Sequence, residues 1–153
     1  MFKNEYTMDD KLITEYVFDI LCKNIIIVGA LLALFSFIIF LLDTTSYIGL
    51  AVCLFSLFFM AFCPIIMIKN IKDSSKRLNN GKIEKTEVEF SNNIILNEGK
   101  VRLEFEYSQI KKIKQTKNFI VLMISNNSAI LVLKDGFING NKDDFLSFIR
   151  NKF

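Results

Sequence analysis

Two long apolar runs at 25–42 and 47–68 contain no charged residue and are separated by only four residues, and no other feature restricts the fold of this chain as strongly. A helix rises about 1.5 Å per residue and needs about 20 apolar residues to cross a hydrocarbon layer of about 30 Å. The sequence therefore predicts a membrane-spanning helical hairpin. The alternative is a hairpin buried inside a soluble protein, but a chain of 153 residues leaves too little sequence to cover it.

Basic residues lie before the first run and after the second, but not in the loop that joins the two runs. Lys23 precedes the first run, and the loop at 43–46 carries no Lys or Arg. The positive-inside rule then predicts two spans in the cytoplasmic membrane with both termini in the cytoplasm. The segment before the first run is acidic, and no small-residue cleavage site follows the apolar core, so the first span is expected to remain in the mature protein. The basic residues that follow the second run are Lys69, Lys72, Lys76 and Arg77.

The composition argues against several classes of activity. The chain has no His, the commonest general base and metal ligand, and no Gly-rich phosphate loop. Cys22, Cys53 and Cys63 have no metal-ligand spacing and are predicted to be buried as small apolar side chains. We therefore expect no enzyme activity, no cofactor and no metal. The balance of 19 basic against 16 acidic residues does not favour nucleic-acid binding, and the lack of ionisable residues within the runs argues against a transporter or channel.

The segment before the first run predicts a short strand and a helix. The strand is expected at 2–6, and the helix begins at Met8, is capped by Thr7 and has Asp9 and Asp10 in its first turn. Apolar residues then recur at helical spacing, which predicts an amphipathic helix that continues directly into the first span. Its apolar stripe is expected to pack on the cytosolic part of the protein, or alternatively to lie in the membrane interface.

The spacing of the apolar residues changes after the second run. The helix is expected to continue into the cytosol and to end at 79–81, after which apolar and polar residues alternate as they do in strands. A final helix is predicted with Asn141 as its cap and Asp143 and Asp144 in its first turn. We expect one strongly bent antiparallel sheet closed by this helix, with the N-terminal segment and the cytosolic helix extensions packed on it. The predicted strands are 87–90, 94–96, 101–106, 110–115, 119–125 and 129–133.

These expectations describe an α+β membrane protein in which a transmembrane helical hairpin is followed by a small antiparallel β domain. Four segments are predicted in order: a cytosolic strand with an amphipathic helix, the hairpin, a juxtamembrane helix with a linker, and the cytosolic β domain. Their bounds are 1–24, 25–68, 69–82 and 83–153.

The C-terminal part also contains a recognisable series of short motifs. The sequence reads YSQIKKI at 107–113, TKNF at 116–119 and AILVLK at 129–134, and the closing helix follows. With two spans in front, this order resembles the bacterial YcxB-like membrane proteins, most specifically over 91–153. The resemblance implies a C-terminal domain similar to bacterial pleckstrin-homology folds, held under the membrane by the hairpin. It implies no reaction and no catalytic residue.

The leading prediction for function is a non-enzymatic, membrane-anchored binding or adaptor module. Its expected partners are the lipid bilayer, anionic lipid head groups or another membrane protein. Two groups of basic residues are the candidate contacts. The first group is equally well explained by a role in setting the membrane topology, and the second by strand positions that face water. The first group is Lys69, Lys72, Lys76 and Arg77, and the second is Lys111, Lys112, Lys114 and Lys117.

Two alternatives come from other classes of protein. One is an immunity protein against a membrane-active bacteriocin, because some small immunity proteins resemble this combination of two spans with a pleckstrin-like domain. The other is an accessory subunit of a membrane transporter or sensor complex, which would use small residues of the spans as helix contacts. Packing of the hairpin against itself explains the same small residues. They are Gly29, Ala33, Gly49 and Cys53.

Overall fold

The structure is a computed structural model that describes residues 1–44, 47–78, 84–125 and 128–152, except for the side chain at position 78. The chain divides into two units, one made of Met1–Leu12 with Lys72–Phe153 and the other of Ile13–Ile71. Two long apolar helices are followed by antiparallel sheets and a C-terminal helix, so the predicted α+β class is confirmed. The helix end predicted at 79–81 lies outside the described residues.

The first helical segment is divided into three parts. Helix α1 (Asp10–Tyr16) is followed by one turn of π-helix (Val17–Leu21) and then by α2 (Lys23–Leu42). The prediction of one helix continuing directly into the first span is therefore wrong, because the π-helical turn and Cys22 separate α1 from α2.

The predicted cap of α1 is also wrong. The backbone N–H of Leu12 donates to Oδ1 of Asp9 at 2.8 Å, so Asp9 caps the helix and only Asp10 stands in its first turn. An aspartate oxygen in this position satisfies one of the unpaired N–H groups of the first turn. Thr7 is instead the last residue of strand β1 (Phe2–Thr7).

Helices α2 and α3 (Tyr47–Leu78) carry the two apolar runs and bury little of them within the protein. Both are long and apolar enough to cross a membrane, with mean hydropathies of 3.1 and 2.6, and the protein buries 11% and 17% of these windows. The buried positions are occupied by small side chains, whereas the large apolar side chains are mostly exposed. The small buried side chains include Ala33, Ser36, Cys53 and Ser56.

The β strands form two antiparallel sheets rather than the single bent sheet that the sequence predicts. Within the described residues, one sheet has five strands in the order β4-β3-β2-β1-β8, and the other has three in the order β5-β6-β7. A 3₁₀ turn, Tyr107–Gln109, separates β4 from β5, so the chain leaves one sheet before it enters the other. The strands after β1 are β2 (Lys85–Phe90), β3 (Ile94–Glu98), β4 (Val101–Phe105), β5 (Lys112–Gln115), β6 (Phe119–Met123), β7 (Ala129–Leu133) and β8 (Phe137–Asn139).

Strand β1 lies inside the five-stranded sheet, although most of the chain separates it from its neighbours in sequence. It pairs with β2 from Phe2↔Phe90 to Thr7↔Lys85 and with β8 at Lys3↔Asn139. The prediction that the N-terminal segment packs on the β domain is therefore confirmed. Strand β8 is absent from the predicted strands.

Aromatic side chains fill the core under helix α4 (Lys142–Lys152). The fully buried ring of Phe145 lies 4.6 Å from the ring of Phe90 and 5.5 Å from that of Phe2, measured between centroids. The predicted cap of α4 is confirmed, since Oδ1 of Asn141 accepts from the backbone N–H of Asp144 at 2.9 Å.

The buried side chain of Asn4 connects the two sheets. Its Nδ2 donates to the carbonyl oxygen of Leu133 at 2.7 Å, and its Oδ1 accepts from the N–H of Leu133 at 3.0 Å. Next to it, the N–H of Glu5 donates to the carbonyl oxygen of Gly136 at 2.8 Å. A Cβ at position 136 would lie 2.6 Å from the carbonyl oxygen of Glu5, so this approach requires glycine. Two hydrogen bonds thus join β1 to the end of β7, and a third joins β1 to the turn between β7 and β8.

Candidate functional site

The first basic group lies near the end of α3, and its members have different surroundings. Nζ of Lys72 is 2.8 Å from Oδ1 of Asp10, so this lysine forms an ion pair with the first residue of α1. Lys69, Lys76 and Arg77 are exposed. Lys76 and Arg77 stand in the last turn of α3, where a positive charge also stabilises the helix by complementing its dipole. Three of the four predicted basic residues therefore present their charge to the surroundings.

The last turns of α3 are also bonded to the five-stranded sheet. Oγ of Ser75 donates to Oε1 of Glu98, the last residue of β3, at 3.1 Å. This bond confirms the prediction that the extension of the second apolar helix packs on the β domain.

The second basic group lies on and around β5, an edge strand of the three-stranded sheet. Lys112 and Lys114 are two residues apart on this strand and therefore share one face. Lys111 precedes the strand and Lys117 follows it, and both are exposed. The structure thus brings two of the four predicted lysines together on one face and places the other two at the ends of the same strand.

A fifth lysine, Lys134, belongs to this surface and was not among the predicted residues. Its Nζ donates to the backbone carbonyl oxygens of Thr116 at 2.5 Å and of Lys117 at 3.2 Å. Lys134 therefore holds the turn between β5 and β6 on which Lys117 stands. The AILVLK motif ends on this residue, which is the one signal in the sequence that marks it.

The outer face of the five-stranded sheet carries mainly carboxylates. Nζ of Lys3 lies 3.3 Å from Glu5, 3.3 Å from Glu87 and 3.4 Å from Glu89, and Lys85 also pairs with Glu5. Hydrogen bonding to Glu87, and then to Glu89, raises the pKa of Lys3 above its ordinary value of 10.5. The lysines of this face thus form ion pairs with glutamates of the same sheet, whereas the lysines of β5 are presented outwards.

The raised pKa of Lys3 gives a pH-dependent prediction. Because this pKa is higher in the folded chain than in the unfolded one, the charged lysine stabilises the domain at pH values below 10.5, and the effect is lost as the pH rises through the folded pKa. Lys3→Met is therefore expected to lower the midpoint temperature at neutral pH, with a difference that shrinks above pH 10.5. Thermal unfolding of the full chain across this range measures it, and Lys100→Met, at an exposed turn position, is the control. A difference that is independent of pH would contradict the prediction.

Small residues of the two apolar helices lie where the helices meet. A Cβ added at Gly29 would be 2.6 Å from Cγ of Met60, and one added at Gly49 would be 3.0 Å from the carbonyl oxygen of Ser36. Ala33 is also buried, as is Cys53 on α3, so all four residues proposed as contacts for another membrane protein are used within the hairpin itself. This favours self-packing as the explanation of the small residues.

We expect Gly29→Leu to weaken the hairpin. The added side chain would overlap Met60, and overpacking of this kind typically costs about 1–3 kcal/mol. Ala30→Leu adds a similar side chain at the exposed neighbouring position and is the matched control. The midpoint temperature of each full chain in the same detergent measures the effect, and equal midpoints for the two variants would show that Gly29 is not a close contact.

An apolar groove of about 410 Å³ lies between α2 and α3. Val28, Leu32, Phe55 and Phe59 form most of its wall, and the polar exceptions include Asn24. Such a lining suits hydrocarbon and offers little to a polar substrate. Among the described residues, no group of three or more His, Cys, Asp or Glu could hold a metal ion.

The comparison with known families agrees with the motifs of the C-terminal part. Residues 90–149 match the model of the YcxB-like protein family. Over these residues the chain is similar to YcxB-like proteins. The match runs from the last residue of β2 into α4. It includes β5 with its lysines and excludes β1. The resemblance predicted from the sequence is thus confirmed. No curated protein and no solved structure matches the chain.

Proposed function

We propose that this chain is a non-enzymatic binding module anchored by two spans at the inner face of the cytoplasmic membrane. The observation that carries the proposal is the exposure of the two apolar helices. The core helix of a soluble protein is mostly buried, but here 11% and 17% of the most apolar windows are buried. Hydrocarbon is the environment in which so much exposed apolar surface is stable.

The pairing of β1 supports a topology with both termini in the cytoplasm. β1 precedes the first apolar helix, while its partners β2 and β8 follow the second. The two ends of the hairpin must then be on the same side of the membrane, as two crossings require. The basic residues next to the apolar runs select the cytoplasmic side.

The lysines of β5 support an anionic partner. Lys111, Lys112 and Lys117 are exposed, and their strand is an edge of its sheet. Lysine on an edge strand disfavours backbone pairing with another strand. We therefore expect a partner to bind the lysine side chains of β5 rather than its backbone. We propose phosphate-bearing lipid head groups as the partner, in line with the proposed likeness to pleckstrin-homology domains. Near an anionic surface each basic residue contributes about 1 kcal/mol.

The topology is tested by labelling single cysteines in intact cells with a membrane-impermeant maleimide. Thr44→Cys, in the loop between the apolar helices, is expected to react from outside, and Lys100→Cys to react only after the cells are permeabilised. The parent chain gives the background from its own cysteines, of which Cys22 and Cys53 are buried. Labelling of Lys100→Cys in intact cells, or release of the chain by alkaline carbonate, would overturn the proposal.

Lipid binding is tested on the full chain in detergent by native mass spectrometry with phosphatidylglycerol and phosphatidylcholine. Replacing Lys111, Lys112, Lys114 and Lys117 together by Gln is expected to reduce the retained phosphatidylglycerol by about tenfold or more. Replacing Lys11, Lys100, Lys142 and Lys152 by Gln removes the same charge elsewhere and is the control. Equal loss in both variants would mean that only net charge matters and would remove β5 as the site.

The two alternative functions remain separable from this proposal by experiment. An immunity protein would raise the tolerance of a sensitive strain to a membrane-active peptide, and an accessory subunit would crosslink to one transporter or sensor protein in native membranes. A binding module for lipid would do neither and would retain its preference for phosphatidylglycerol.

A further inference from the structure

The outermost strand of the five-stranded sheet, β4, has a free edge. Strand order places β3 on one side of it and no strand of the described residues on the other. Arg102, Leu103 and Glu104 are exposed, and the side chain of Leu103 is 46% exposed although it belongs to the face that carries the core. An edge strand of this kind presents unpaired N–H and C=O groups to any chain that can pair with it.

The hairpin geometry identifies which backbone groups are available. The turn between β3 and β4 has two residues, 99–100, and the pair that closes it is Glu98↔Val101. A pair that closes a two-residue turn is hydrogen-bonded, and hydrogen-bonded pairs alternate along an antiparallel ladder. Arg102 and Glu104 therefore direct their N–H and C=O groups away from β3, towards the free edge.

The sequence of β4 is complementary to itself in the antiparallel direction. If two copies pair with Leu103 opposite Leu103, then Arg102 of each copy lies opposite Glu104 of the other, and Val101 lies opposite Phe105. An apolar pair thus forms at each end of the strand, and a pair of opposite charges forms on each side of Leu103. The carboxylate of Glu104 is already oriented, since its Oε1 accepts from Nδ2 of Asn93 at 2.7 Å.

We propose that two copies of this protein associate through β4, in antiparallel register about a two-fold axis at Leu103, so that their five-stranded sheets become one continuous sheet. The proposal goes beyond the proposed function and does not rest on it. A two-fold axis makes the contact isologous and closed, which limits the assembly to a dimer.

Charge selects this register over its neighbours. A shift that centres the pairing on Arg102 would place arginine opposite arginine, and one centred on Glu104 would place glutamate opposite glutamate. A register that pairs residue 102 with residue 103 would put polar side chains on the core face. Only the register centred on Leu103 brings both opposite-charge pairs together.

The outer strands β5 and β8 are poorer candidates for self-pairing. β5 carries Lys112 and Lys114 at its free edge, and two copies would set lysines against lysines. β8 has only three residues, Phe137–Asn139, which gives a short ladder. A second copy pairing through β4 also covers Leu103, one of the few large apolar side chains exposed on the β domain.

A cysteine crosslink in native membranes tests the proposal with the full chain. Residues 103 of the two copies would form a non-hydrogen-bonded pair with Cα atoms about 4.5 Å apart, which is within the reach of a disulfide. Leu103→Cys is therefore expected to form a covalent homodimer on mild oxidation. Arg102→Cys and Ile138→Cys are the controls, because residue 102 faces residue 104 and residue 138 lies on another edge. Dimer yields for Leu103→Cys no higher than for these controls would overturn the proposal.

A charge reversal provides the second test and distinguishes specific pairing from collision. Adding Arg102→Glu to Leu103→Cys places glutamate opposite glutamate and is expected to reduce the dimer yield by about tenfold. Adding Glu104→Arg as well restores opposite charges and is expected to restore the dimer, which also shows that the variants fold. An unchanged yield in the single reversal, or a crosslink to a different protein, would overturn the proposal.

Discussion

Replacing Phe145 by alanine is expected to unfold a large fraction of the β domain. The ring is fully buried beneath α4 and contacts the rings of Phe2, Phe90 and Phe137. Removing a phenylalanine from such a site typically costs about 3–5 kcal/mol, which is a large part of the stability of a small domain. Urea-dependent proteolysis of the full chain in membranes measures the loss, because it detects unfolding of the β domain.

Two further variants define the prediction for Phe145. Phe145→Leu keeps most of the apolar volume and is expected to lose much less stability than the alanine variant. Ile138→Ala removes apolar atoms from a side chain that is 60% exposed and is expected to change stability little. If Phe145→Ala resisted urea as well as Ile138→Ala does, the packing of α4 on the sheet would be wrong.

Asn4→Leu is expected to have an effect of similar size for a different reason. The substitution places an apolar side chain in a fully buried position and removes both hydrogen bonds to the backbone of Leu133. Each buried backbone group left without a partner costs about 1–3 kcal/mol, so the expected loss is about 2–6 kcal/mol. The link between β1 and the end of β7 would be the part that fails first.

An asparagine on the neighbouring strand gives the matched control. Asn139→Leu makes the same chemical change on β8, opposite Lys3, where the side chain is exposed. We expect it to leave the urea midpoint nearly unchanged. Comparable losses in the two variants would mean that burial and bonding of the Asn4 amide do not matter to the fold.

Local patterns in the sequence predict most of the elements but not their assembly. The alternation of Val88 and Phe90 with two glutamates marks β2, and alternation also marks β4. Turn residues on either side of short apolar segments mark β3, β6 and β7. The bounds of the apolar helices follow from composition, and the cap of α4 follows from Asn141. These features depend on neighbours in the sequence, which is why they can be predicted.

Features that depend on distant residues could not be predicted in the same way. β8 is too short to show alternation, and it forms because β1 supplies a partner. Asn4 stands on the apolar face of its strand with no signal that its partner is Leu133. Among the candidate sites, alternation predicts that Lys112 and Lys114 share a face, but the contact of Lys134 with the β5–β6 turn and the free edge of β4 require the order of the strands.

The interior position of β1 in the five-stranded sheet also affects the order in which the protein can fold. Strand β1 precedes both apolar helices in the chain, whereas its partners β2 and β8 follow them. Strand β1 can therefore form its native pairs only after both helices have been synthesised, which differs from the usual order in which N-terminal parts fold first. In the proposed topology, insertion of the two helices precedes the pairing of β1, so a defect in insertion is expected to leave the five-stranded sheet without one of its interior strands.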